Sequence, residues 1–72
     1  MNAKHSVLRF VAESGPVTSA DLAHALGYTT QSGAAATLLR LCRNGHLKRE
    51  HDGLAFSYSI SGKGQTWLSL FG

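Results

Sequence analysis

The sequence of 72 residues predicts an α+β chain, mostly helical, folding as one domain over residues 1–72. Three observations carry this. Apolar residues recur at helical spacing in three successive segments, each closed by a glycine. The run Leu54-Ala55-Phe56-Ser57-Tyr58-Ser59-Ile60 alternates apolar and small residues behind Asp52-Gly53, as the second arm of a β-hairpin does. A last apolar cluster, Trp67, Leu68, Leu70 and Phe71, follows a Ser61 that can cap a short final helix.

Residues 3 to 14 place Val7, Leu8 and Val11 on one helical face, with Lys4, Arg9 and Glu13 away from it. Gly15 as a left-handed cap and Pro16 as a residue that cannot continue then stop this helix. Val17 is an extended link of bridge length. Thr18-Ser19-Ala20-Asp21 reads as a capping box for a second helix from Asp21 to Leu26, with Leu22, Ala23 and Leu26 inward and Gly27 at its end. A third helix, capped by Thr29 or Thr30, runs to about Asn44 and ends at Gly45. At about 100° per residue, Ala34, Leu38, Leu41 and Cys42 share its inner face, while Ser32, Ala36, Leu39, Arg40 and Arg43 point outward.

The hairpin follows from His46 on, with Asp52-Gly53 expected at its turn and Leu54, Phe56, Tyr58 and Ile60 on its buried face. In the final helix Gly62 and Gly64 weaken the first turn. One face there takes Trp67, Leu70 and Phe71, leaving Leu68 to the side.

Composition narrows the function. The chain is 43% apolar and 15% charged, which belongs to a folded globular chain. So short a chain buries only roughly 60% of its unfolded surface, too little core for a cofactor pocket with catalytic apparatus. No Ser, His and Asp arrangement and no phosphate loop stands in the sequence, so no enzyme activity and no cofactor is expected. The net charge of +3 favours a polyanionic partner. One cysteine, Cys42, permits no internal disulfide and reads as a small core residue. Cys42 and His46 are interrupted by Gly45 and have no second ligand pair, so no metal site is expected. The N-terminus leads into a charged helical pattern rather than a signal-peptide run, and no stretch approaches the ~18 apolar residues of a membrane span. The expected address is the cytoplasm.

Three segments in order resemble the winged helix-turn-helix domain of MarR-like regulators. Val17 to Gly27 looks like the "v-t-x-x-x-L-A-x-x-L-G" entry helix and turn. Leu38-Leu39-Arg40-Leu41-Cys42-Arg43-Asn44-Gly45-His46-Leu47-Lys48-Arg49 is similar to the "L-x-x-L-x-x-x-G-x-L-x-R" exit into the wing. Tyr58-Ser59-Ile60-Ser61-Gly62-Lys63-Gly64 resembles the "y-x-L-T-x-x-G" that closes it. The likeness covers roughly residues 6 to 68. It implies sequence-specific binding to duplex DNA by a small transcriptional regulator, nucleoid-associated when bound, with the third helix in the major groove and the wing on the backbone or minor groove.

On that reading Thr30, Gln31 and Ser32 offer base contacts, and Gly33 and Ala36 allow the helix to approach closely. Arg40, Arg43, Lys48 and Arg49 anchor phosphates, and His51 at the wing tip touches phosphate when protonated. The sequence departs from the family in reading Gln31-Ser32-Gly33-Ala34-Ala35-Ala36 where the recognition helix usually starts with polar or charged side chains, in a turn one residue longer, and in two acids, Glu50 and Asp52, at the wing tip. Phe10, Trp67, Leu70 and Phe71 are a candidate homodimer seam between the first and last helices, or else simple core closure. Two other readings fit the same residues: a winged-helix module that binds another protein, and the detached DNA-reading domain of a larger enzyme.

Overall fold

Helix α1 spans Ala3–Ser14, α2 Ser19–Leu26 and α3 Gln31–Arg43; strands β1 (Leu47–Asp52) and β2 (Ala55–Ile60) form the hairpin, and α4 covers Gly62–Phe71. The structure is a computed structural model and describes residues 3–53 and 55–71. The order is the one the periodicity predicts. Its core gathers Val7, Leu8 and Val11 of α1, Leu22 of α2, Ala34, Leu38 and Leu41 of α3, and Leu47 and Tyr58 of the hairpin.

The punctuation residues act as their chemistry dictates. Gly15 takes φ +78°, and its amide donates to the Val11 carbonyl at 3.1 Å. Val17 is a true bridge: its amide donates to the Tyr58 carbonyl at 2.9 Å, and the Tyr58 amide returns the bond at 2.7 Å. The capping box of α2 is complete, with Asp21 N–H on Thr18 Oγ1 and Thr18 N–H on Asp21 Oδ2. Thr30, not Thr29, caps α3, accepting the Gly33 amide at 3.0 Å.

Four inward assignments are corrected. Leu26 is 39% exposed, because it lies a turn beyond Leu22, at the end of α2 and outside the buried cluster. Phe56 is 45% exposed: it shares the inner hairpin face with Tyr58 but lies nearer the tip, beyond the core. Leu70 and Phe71 are 71% and 66% exposed, whereas Leu68, expected to the side, packs with Trp67 against the core. The rotation of α4 explains this last exchange. Gly64 is buried against the His46 carbonyl and Ile60, so the inward stripe runs Gly64, Trp67, Leu68 at i, i+3, i+4 spacing. Leu54 lies outside the described residues.

The turn of the hairpin is also shifted by one. Asp52 pairs with Ala55 as the last rung of the ladder, and Gly53, at φ +66°, takes the first turn position.

Candidate nucleic-acid interface

The inner face of α3 is consumed by the core, which turns Ser32, Ala36, Arg40 and Arg43 outward and exposed, with half-buried Leu39 among them. These five positions fall along one side of the helix at i, i+4, i+7, i+8 and i+11. Arg40 and Arg43 stand in its last turn, where cations also complement the helix dipole. At the other end the Thr30 cap takes the Gly33 amide, and Gln31 and Ser32 carry amides with no intrahelical partner. An exposed, positively polarised helix end and an exposed pair of arginines therefore sit on one element.

The two helices of the pair are held at a fixed angle by polar contacts. Gln31 Nε2 donates to Ser19 Oγ at 3.1 Å, tying the start of α3 to the start of α2. On the far side the Tyr28 hydroxyl donates to Thr37 Oγ1 at 3.4 Å, and Thr37 donates to the Gly33 carbonyl at 3.1 Å.

Three of the expected site residues are engaged in contacts within the chain. Thr30 is occupied as a cap. Gln31 is directed at α2 rather than along the outer face of α3. Gly33 is half-buried, and a Cβ there would stand 3.3 Å from Thr30 Oγ1 and 3.7 Å from Tyr28. Its missing side chain makes room for the cap and the turn.

The register of the hairpin sorts its charges. Leu47, Arg49 and His51 face Ile60, Tyr58 and Phe56 across the ladder, while Lys48 and Glu50 face Ser59 and Ser57. Partners across an antiparallel ladder share a face, so Arg49 and His51 lie on the core side and Glu50 on the other. The Arg49 guanidinium lies over the Phe56 ring at 4.4 Å, and the His51 ring is 4.8 Å from it on centroids. Phe56 thus orients two basic groups at the wing. The residue alternation carried this signal once the pairing of Arg49 with Tyr58 was fixed; charge counting at the tip did not.

Two features went unread in the sequence. Lys63 donates to the Asn44 carbonyl at 2.8 Å and Ser61 Oγ to the Gly45 carbonyl at 2.6 Å, so the start of α4 clasps the end of α3. Beneath them His46 is buried edge-on to Trp67, its Nδ1 without a hydrogen-bond partner. Burial holds its pKa below the usual histidine value, and the charges of Lys4 and Lys63 push the same way.

Among the described residues no three His, Cys, Asp or Glu side chains converge on a possible metal position. No helix there is long and apolar enough to cross a membrane. Cys42 is a free, half-buried thiol beside the core.

No protein-family model matches this sequence, and no curated protein does. Among solved structures, the transcriptional regulator BldR from Sulfolobus solfataricus superposes with a TM-score of 0.78 at 24% identity. The alignment covers 93% of this chain and 49% of BldR, so the chain spans about half the length of that protein. At that identity the likeness speaks to architecture. Four helices and a two-stranded antiparallel wing in this order give the chain the winged helix-turn-helix fold, with α2 and α3 as the helix-turn-helix pair.

Proposed function

We propose that this domain binds duplex DNA in a sequence-specific manner, as a MarR-like transcriptional regulator with no catalytic activity of its own. The observation that carries the reading is the outer face of α3. Ser32, Ala36, Arg40 and Arg43 are exposed there together, on the helix that this fold lays in the major groove. Ser32 and the open amides at the helix start offer hydrogen bonds to base edges or phosphates, and Ala36 lets the helix approach closely. Arg40 and Arg43 take phosphates beyond, with Lys48, Arg49 and His51 contributing from the wing. BldR is itself a transcriptional regulator, which supports this reading. The protein works in the cytoplasm, on the nucleoid when bound.

Two copies pair to read a two-fold site, since one small domain makes few base contacts. Phe10 and Trp67 are half-buried against the core, so the exposed Leu70 and Phe71 supply most of the seam between α1 and α4.

Ala36→Leu tests the reading. Position 36 enters no core contact and Leu is a good helix former, so the variant melts like the unaltered chain. Its affinity for a selected site falls by about 1–3 kcal/mol, the scale of a lost base contact. Full affinity in this variant removes α3 from the groove.

A further inference from the structure

Between the start of α2, the start of α3 and strand β2 lies a notch of about 270 Å³, whose walls include Thr18, Ser19, Gln31, Phe56 and Tyr58. Tyr58 is only 5% exposed, and its hydroxyl has no hydrogen-bond partner among the described residues. Among the described residues the buried side-chain atoms without a partner are His5 Nε2 and His46 Nδ1, so the Tyr58 oxygen, at the notch its residue lines, reaches solvent and keeps its donor for a ligand there.

Other groups around the notch are donors too. Ser19 Oγ accepts from Gln31 Nε2, which leaves its own proton to give outward. Ser19 is the first residue of α2, at the positive end of the helix dipole. Arg49 stands opposite Tyr58 in the ladder, and its guanidinium is stacked on Phe56, which lines the notch. Among the described side chains, the carboxylate of Asp21 works against an anion, although it is committed to the Thr18 amide in the capping box.

We infer that the notch seats one backbone phosphate of bound duplex DNA, held by the hydroxyls of Tyr58 and Ser19 with Arg49 at its lip. Gln31 is then a positioning residue, fixing Ser19 rather than reading a base. The inference rests on the DNA-binding reading above. Because Asp21 offsets part of the helix dipole, the seat takes a phosphodiester delivered by the other contacts of a docked duplex, not free inorganic phosphate.

Tyr58→Phe removes the hydroxyl and keeps the ring, so the melting temperature stays that of the unaltered chain. Affinity falls about tenfold on selected and random duplexes alike, the scale of a hydrogen bond to a charged group, with base preference unchanged. In duplexes carrying a single neutral methylphosphonate, the difference between Tyr58→Phe and the unaltered chain vanishes at one phosphate per bound domain. Ser19→Ala shows a smaller loss that vanishes at the same phosphate. Tyr58→Phe binding at full strength overturns the seat, as does a loss that persists at every methylphosphonate. A change of base preference in Gln31→Ala assigns Gln31 to readout and overturns its positioning role. Saturable inorganic phosphate binding at Tyr58, followed by NMR, overturns the need for a docked duplex. If the unaltered chain binds no duplex at low salt, the DNA reading itself falls, and this inference with it.

Discussion

Gly64→Ala reverses the usual sign of a glycine-to-alanine change in a helix. On propensity alone the substitution stabilises by about 1 kcal/mol. The structure leaves no room for it. A Cβ at residue 64 would overlap the His46 carbonyl oxygen and stand 2.7 Å from Ile60 Cδ1, where apolar carbons prefer ~3.5–4.0 Å. The oxygen belongs to backbone, so α4 must lift off the corner between α3 and β1. Overpacking of this kind costs about 1–3 kcal/mol. The Ser61 amide, which donates to the same His46 carbonyl at 3.1 Å, loses a bond worth about 1 kcal/mol. Set against the propensity gain, the net loss is about 2 kcal/mol, from a total of about 4–11 kcal/mol for a chain of this size. For so small a domain that lowers the melting temperature by about 8–16 °C. Gly62→Ala is the internal control: it meets nothing within 4 Å and melts at or slightly above the unaltered chain. Thermal unfolding followed by circular dichroism reads both. A Gly64→Ala chain as stable as its Gly62→Ala counterpart would refute the packing of α4 described above.

The depressed pKa of His46 makes stability depend on pH. Unfolded, the imidazole takes a proton near pH 6.5; folded, burial and the lysines hold it neutral to lower pH. Between those two values the unfolded chain binds more protons, so stability rises with pH through the window, by at most about 1.4 kcal/mol per pH unit. Urea midpoints between pH 5 and 7.5 should show this slope, and His46→Gln should flatten it; an unchanged slope in that variant assigns the effect elsewhere. Leu70→Ser with Phe71→Ser, both exposed, should leave the fold intact and abolish pairing at micromolar concentration. Light scattering that finds the unaltered chain monomeric both free and on DNA contradicts the seam.

Local chemistry made most of the fold legible. The capping box at Thr18, the left-handed glycines and the Ser61 cap of α4 each follow from residues within a few positions of one another. What stayed hidden depends on distant partners. The rotation of α4 is set by Gly64 meeting a carbonyl on the far side of the hairpin, so a helical wheel alone assigned Leu68 and Leu70 to the wrong sides. Phe56 fits the alternation perfectly, yet sits past the end of the core, which periodicity cannot measure. The same holds for the proposed interface. The exposed face of α3 was readable from spacing, while the ties of Gln31 to Ser19 and of Gly33 to the Thr30 cap needed the turn between helices to be built.

The central claim is that the outer face of α3 delivers two arginines to DNA phosphates, and the salt dependence of duplex binding tests it most directly. For the unaltered chain, log K falls linearly with log salt, with a slope of about −0.9 for each phosphate neutralised. Replacing Arg40 and Arg43 together by Ala leaves the core untouched, because both are exposed. The slope then becomes shallower by about 1.8 while the melting temperature holds. An Arg40→Ala, Arg43→Ala chain that folds normally and keeps both the affinity and the slope of the unaltered chain contradicts the account.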